Sequence, residues 1–436
     1  MAKAYAEAQA RAQELRADAG SSPSQNGNGL VLPTGQEVLG SLISAVGAEL
    51  ADGLAGPLLY LAFLSTPAQA VPVEWRDQLH EQLSKKFLRE WANTMERREH
   101  LRLLGRMATA VAASPILSLD SNEQERLSKA IAQPSRVDSQ VIDRIDATLR
   151  HCQLQEDALG SRAVLPTLLD QRNLVDDLLA ECPDHLRARL LATYSNMSTS
   201  IGYYFFELND LASTRHYFEQ ARAAAHGAGS ADLSIYALCE WSYAESWQGK
   251  AVTGIDLALI AQDLVSKAED PLMRVGAAQR AATAYAFDGQ YKACMVEFER
   301  AQASLAAAIG QASPESPGYF YNEGYLTSHM SECLLRLGKP QEAAASAGAG
   351  LRQYDKSFVD GYAVCTLHLG NAACYLGEID EAARRIGSAA SLAAQTRSAR
   401  LTSEVRAARE HLQPWHNTTA VKELDERLRG WGMRGR

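Results

Sequence analysis

From residue 75 the chain carries the spacing of amphipathic helices. Trp75, Leu79, Leu83, Phe87, Trp91 and Met95 recur every four residues and form one helical stripe, while Arg76, Lys85, Lys86 and Arg89 fall on its other positions. Pro134, Gly160 and Pro183 punctuate the pattern further on, which predicts helices near 122–132, 137–158 and 161–181. Toward the start, residues 20–36 are rich in Gly, Ser, Pro and Asn and offer a core nothing to bury, so they read as a flexible linker behind a short helix at 1–19. The run 38–64 is apolar but broken by Glu49, Asp52 and Pro57, which leaves no stretch of ~20 apolar residues and predicts no membrane partner. The pattern divides the chain into an N-terminal helix and linker (1–36), a helical N-terminal domain (37–132), and a helical array with a C-terminal cap (133–436).

Beyond about residue 186 the pattern repeats. Helical runs meet at Leu208-Asn209-Asp210, Gln248-Gly249-Lys250, Asp288-Gly289-Gln290, Leu337-Gly338-Lys339 and Leu376-Gly377-Glu378, whose central residues lie 40, 40, 49 and 39 apart. The long interval contains a Gly/Ser/Pro-rich insertion at 310–318. Small residues recur at fixed offsets from each turn: seven before it Gly202, Ser242, Ala282, Ser331 and Gly370; five after it Thr214, Gly254, Cys294, Ala343 and Ala382; twelve after it Ala221, Ala261, Ala301, Gly350 and Ala389. Nine after the turn, Phe218, Phe298 and Ile386 are larger, while Ala258 and Ala347 depart from that rule. This register resembles the tetratricopeptide repeat (TPR), whose small residues let two helices touch. The resemblance implies an all-α fold, a right-handed α-solenoid of TPR-like helical hairpins following an N-terminal helical region. Single hairpins cannot bury their apolar faces alone, so stacking makes the core.

Composition agrees with close-packed helices. Alanine accounts for 72 of 436 residues and aromatics for only 7%. The net charge of −9 argues against nonspecific coating of nucleic acid. Residues 397–436 carry +4 of their own and read as a solvated basic tail, leaving −13 elsewhere. Seven cysteines, an odd number with no C-x-x-C pair, fall mostly in apolar helical runs and point to reduced thiols and a cytoplasmic location.

In a TPR-like solenoid the first helix of each hairpin lines the concave side. By that resemblance, residues nine and six before each turn face a solvent-filled groove: Ser200, Glu240, Arg280, His329 and His368, then Tyr203, Tyr243, Thr283, Glu332 and Asn371. Asn196, Tyr236 and Tyr325 lie one helical turn earlier. Tyr203 and Tyr243 suit a platform for an apolar group, Arg280 a carboxylate, and Asn371 a ligand backbone; His329 and His368 would respond to pH near neutrality. If Tyr243 and Arg280 face solvent, changing both to alanine should weaken ligand capture and leave melting intact.

Chemistry-bearing motifs are missing. The sequence has no phosphate-binding G-x-x-x-x-G-K-[ST], no dinucleotide fingerprint after a strand, no H-E-x-x-H and no nucleophile elbow. Asp176-Asp177 and Asp425-Glu426 read as solvated carboxylates on helix faces. The expectation is therefore a non-enzyme with no catalytic residues, no metal and no cofactor. A looser resemblance begins near residue 90. Arg97-Arg98-Glu99-His100-Leu101-Arg102, Gln133-Pro134-Ser135-Arg136-Val137-Asp138, Leu191-Ala192-Thr193-Tyr194-Ser195-Asn196 and Asp380-Glu381-Ala382-Ala383 are similar to phrases in actinobacterial (Streptomyces-type) TPR transcriptional regulators, here without a recognisable helix-turn-helix. That resemblance implies a cytoplasmic regulatory scaffold. It would bind a protein segment, peptide or small signal in its groove and influence transcription in differentiation or secondary metabolism. Direct DNA binding through the basic N-terminal helices and a role as assembly or accessory protein of a larger complex stand as alternatives, and self-association into a homo-oligomer is left open.

Overall fold

A computed structural model describes residues 126–433 apart from 128, 132 and 355–357. The amphipathic helix from Trp75, the linker and the sequence-derived domain limits at 36 and 132 therefore lie outside or at the edge of the described residues. All that follows concerns the second of the chain's two units, Leu119–Arg436.

Its helices are α1 (Ser139–Leu159), α2 (Ser161–Leu179), α3 (Asp184–Glu207), α4 (Leu211–Ala228), α5 (Ala231–Trp247), α6 (Ala251–Leu264), α7 (Pro271–Phe287), α8 (Tyr291–Ala308), α9 (Glu323–Arg336), α10 (Pro340–Gln353), α11 (Val359–Tyr375), α12 (Ile379–Thr396), α13 (Ala399–His411) and α14 (Thr419–Gly430). There is no strand among the described residues. Starts are set by capping side chains that accept otherwise orphaned N–H groups: Asp138 from Val141, Asp210 from Ser213, Ser230 from Leu233, Asn322 from Tyr325 and Ser398 from Leu401. Stops are set by a left-handed residue, with φ of 61° at Asn209, 80° at Gly249, 75° at Gly289, 69° at Gly338 and 81° at Gly377. Each such turn closes as a Schellman motif; at Gly249, for example, Lys250 N–H reaches Glu245 O at 3.0 Å and Gly249 N–H reaches Ser246 O at 3.0 Å. Asn209 takes the glycine role because its short polar side chain tolerates αL backbone.

The turns make hairpins α3/α4, α5/α6, α7/α8, α9/α10 and α11/α12, which stack in chain order as an all-α solenoid. All three small-residue slots are buried at all five turns. Ala301, Ala343, Ala382 and Ala389 have no exposed surface at all. The reason is space. A Cβ on Gly254 would sit 2.0 Å from Ser246 Oγ and 2.9 Å from the Ser242 carbonyl oxygen, so α5 and α6 approach to backbone distance.

The array bends until its ends meet. α1 packs on α11 and α12, and α3 on α13. At the first junction Gly160, with φ of 81°, lies against the end of α12, where a Cβ would fall 2.5 Å from the Thr396 carbonyl oxygen. At the second, Ser398 Oγ donates to Glu207 Oε2 (2.9 Å) and Arg400 Nε donates to Glu207 Oε1 (2.8 Å).

This closure corrects the reading of the C-terminal region as a solvated tail. Arg400 is buried against Glu207 and Glu404. Arg409 is buried and donates to Asp425 (Nη2–Oδ2 2.8 Å), which is itself 8% exposed rather than solvated. Arg406 Nε donates to the Met433 carbonyl oxygen (2.7 Å). The basic residues here clamp α13 and α14 over an apolar cap of Leu401, Val405, Val421, Leu424 and Leu428.

Candidate functional site

Closure of the array turns the concave face into a partly open cavity of about 130 Å³. The first helix of every hairpin contributes to its wall. α1 supplies Gln153, Glu156 and Asp157; α3 supplies Ser200, Tyr203 and Tyr204; α5 supplies Tyr236, Glu240 and Tyr243; α7 supplies Arg280; α9 supplies Tyr325, Ser328 and His329; α11 supplies Asp360, Gly361 and Val364; α13 supplies Arg400. Two connections complete it. Tyr319 and Phe320 come from the insertion between α8 and α9, and Tyr354 and Phe358 flank the start of α11.

Arg280 dominates one side. It is 2% exposed, and its Nη2 donates to Glu240 Oε1 at 2.8 Å and Oε2 at 3.0 Å; Glu240 is 3% exposed. Burial works against the charge, but Glu240 and the surrounding tyrosines hold the guanidinium protonated. Its plane lies over the rings of Tyr243 (4.5 Å) and Tyr325 (5.9 Å). Two of its nitrogens, Nε and Nη1, are buried with no hydrogen-bond partner among the described residues. An unused N–H in a low-dielectric site is expensive to leave unmet, so these two nitrogens suit an acceptor that enters the cavity.

Carboxyls dominate another side. Glu156 accepts from Ser161 Oγ (2.7 Å), Asp157 from the Tyr319 hydroxyl (2.8 Å), and Asp360 from Thr396 Oγ1 (2.6 Å). Burial and mutual repulsion push Glu156 well above the usual carboxylate range. Burial raises Asp157 to about 6, and burial with the nearby Glu207 charge raises Asp360 to about 7. Oδ2 of Asp360 has no hydrogen-bond partner among the described residues.

Of the residues expected in the groove, Ser200, Tyr203, Tyr236, Glu240, Tyr243, Arg280, Tyr325 and His329 line this cavity. The other five do not; among them Glu332 is buried and accepts from the Tyr243 hydroxyl (3.4 Å). Asn196 accepts from Gln153 (3.4 Å) at its margin, Thr283 is buried and donates to the Gln279 carbonyl oxygen (3.1 Å), and His368 is buried with Nδ1 2.9 Å from Ser331 Oγ. Asn371 is half-buried, with an unpartnered Oδ1. The expectation that these positions face solvent is overturned. Glu240, Tyr243, Arg280, Thr283 and His368 are all buried, with partners on their own or neighbouring hairpins: Glu240 on Arg280, Thr283 on Gln279 and His368 on Ser331. Burial lowers the proton affinity of both histidines below the usual imidazole range, His368 to about 4. Tyr203 and Tyr243 do not form an open platform either. Tyr243 packs edge-on against Phe206 and His329, and its hydroxyl reaches Glu332 Oε2 at 3.4 Å.

Sequence reasoning missed the Tyr319-Phe320 contribution, although an aromatic run Tyr319-Phe320-Tyr321 directly after a loop insertion was a visible oddity in an aromatic-poor chain. It also missed Glu156, Asp157, Asp360 and Arg400. Their meeting depends on closure between segments some 200 residues apart, which no local spacing encodes. Among the described residues, no cluster of His, Cys, Asp and Glu is arranged to hold a metal ion. No helix among them is long and apolar enough to cross a membrane. All seven cysteines are free and buried.

No family model matches the chain, and no curated protein matches it. Among solved structures the chain is similar to a Rap protein crystallised in complex with competence and sporulation factor, at 11% identity and a TM-score of 0.46, covering 87% of this chain and 96% of that one. That likeness is too slight to carry an argument about ligand or partner. The turns, the small-residue slots and the stacked hairpins stand on their own: the described residues form an all-α, TPR-like helical-repeat solenoid.

Proposed function

We propose that this chain is a cytoplasmic regulatory scaffold that takes a small signal, or the end of a peptide, into its central cavity and thereby influences transcription. One observation carries the reading. Arg280 is buried in the wall of an aromatic-lined cavity, with two nitrogens that have no acceptor among the described residues. A side chain kept only for stability has no use for unmet donors, whereas a receptor does. A wall drawn from every hairpin suits a regulator, because an occupant touches the whole array and shifts its closure. The cytoplasmic assignment draws on the seven free cysteines. The role in transcription draws on the resemblance to actinobacterial regulators and on nothing in the cavity. The reading is non-enzymatic: the carboxyls are held by hydroxyls of the protein itself, and no nucleophile and base are paired in the wall.

The test is melting of the purified chain in extracts of its native host, separated into a small-molecule fraction and a peptide fraction. The reading expects one fraction to raise Tm in wild type and much less in Arg280→Lys. If neither fraction changes Tm or reaches the purified protein by mass spectrometry, the cavity is structural and the reading is wrong.

A further inference from the structure

We propose that the ligand is a small zwitterion of free-amino-acid size, its ammonium group held among Glu156, Asp157 and Asp360 and its carboxylate taken by Arg280. This rests on the cavity being a ligand site. The space comes first. About 130 Å³ is close to the volume of an engineered cavity that admits benzene, so an occupant has roughly the bulk of one amino acid and not of a folded segment.

Charge comes second. The wall carries the acids Glu156, Asp157, Glu240 and Asp360 against the guanidinium groups of Arg280 and Arg400. Glu240 is consumed by Arg280, and Arg400 by Glu207 and Glu404. Arg150 sits over the Tyr319 ring, 3.7 Å from its centroid, and acts on Asp157 through space without a hydrogen bond to it among the described residues. Glu156, Asp157 and Asp360 are thus left with neutral hydroxyls as their hydrogen-bond donors. Glu156, Asp157 and Asp360, with Glu207 beside them, outnumber the guanidinium charges of Arg150 and Arg400 that act on them, so the cluster is stabilised by a further cation, and the tyrosine and phenylalanine faces around it favour an ammonium group. Burial first, and for Glu156 and Asp360 this excess of acids second, raises their proton affinity.

The third element is the unmet donor pair. Arg280 is 2% exposed, and its Nε and Nη1 lack acceptors in the same cavity. A guanidinium stacked between two tyrosines and anchored through one nitrogen is already oriented for a carboxylate. A ligand bearing both groups satisfies both sides at once and enters without net charge. An amine alone leaves the Arg280 donors unmet, and a carboxylate alone adds a charge to an acidic cavity.

Calorimetric titration of the full chain with the twenty free L-amino acids tests this, followed for each binder by its decarboxylated amine and its N-acetyl derivative. One or a few amino acids should bind at one site per chain. Removing either charged group should weaken binding ~10- to 100-fold. Asp360→Asn should weaken the parent amino acid while narrowing its advantage over the N-acetyl form. Arg280→Lys, which keeps a cation beside Glu240, should narrow the advantage over the amine. Binding of the amine or the N-acetyl form as tight as that of the parent overturns the proposal, and so does a panel in which no amino acid binds. If no amino acid binds while a host fraction still raises Tm, only the zwitterion assignment fails. If both are silent, the cavity reading fails with it.

Discussion

The seams inside the hairpins and the wall around the cavity use the same helices in opposite ways. At the seams the chain works by omission: Gly202, Gly254, Ala301 and Gly370 are buried where any larger group would push two helices apart. At the wall it works by pairing. Glu240 and Arg280, or Glu207 and Arg400, are large, charged and almost wholly buried, and each is tolerable only because its partner is in place. A seam therefore fails when something is added to it, and a wall when something is taken away. A buried pair is also a poor source of net stability compared with apolar packing, so its presence in the wall calls for a role beyond holding the fold.

The sharpest way to break the comparison at a seam is Ala301→Arg. Ala301 has no exposed surface, and a guanidinium there has neither room nor partner, so the array should lose its cooperative melt, a penalty of about 5 kcal/mol or more read by circular dichroism. In the wall, Arg280→Ala strands Glu240 and should cost about 3–5 kcal/mol in urea denaturation. The double replacement Arg280→Met with Glu240→Gln should recover most of that loss. If the double variant is as unstable as the single one, the wall is not built on pairing. This corrects the expectation from sequence that alanine at Tyr243 and Arg280 leaves melting intact. Gly254→Ala should cost about 1–3 kcal/mol by forcing α5 from α6, more than a surface alanine would, as judged by the denaturation midpoint.

The smallest effect concerns pH. Burial and repulsion raise Asp360 to about 7, far above its unfolded value near 4, so the folded state holds a proton there that the unfolded chain has released. That contribution is intact below pH 4 and is lost as pH rises through about 7. His368 works in the opposite direction, since its depressed affinity favours the fold above about pH 6.5 and is lost toward pH 4. Comparing Asp360→Asn with wild type isolates the first. Without ligand, the variant should gain on wild type as pH rises from 5 to 8, by on the order of 1 kcal/mol. A constant difference across that range would place Asp360 outside the acidic cluster.

The seams were legible in the sequence because they depend on near neighbours. A left-handed residue and small residues at fixed offsets lie within one hairpin, and every such slot identified from the turns is buried. The wall was half legible. The helical register placed Ser200, Tyr203, Tyr236, Glu240, Tyr243, Arg280, Tyr325 and His329 on the inner face, where they are. It missed their burial, which comes from partners on neighbouring hairpins, and it missed the meeting of Gly160 with Thr396 and of Glu207 with Arg400, contacts that span most of the array. The same closure explains why Arg400, which read as part of a basic tail, is structural, while Arg409 is structural because it pairs with Asp425 between α13 and α14.

The central claim is that the polar wall is built around an occupant. The measurement that meets it most directly is a high-resolution electron-density map of the chain purified from its native host. The account predicts density for a small molecule in the cavity, with an acceptor within hydrogen-bond distance of Arg280 Nε or Nη1 and a donor facing Asp360. A cavity holding only water, or a wall in which Arg280 has turned to satisfy all its donors from the protein itself, would contradict it.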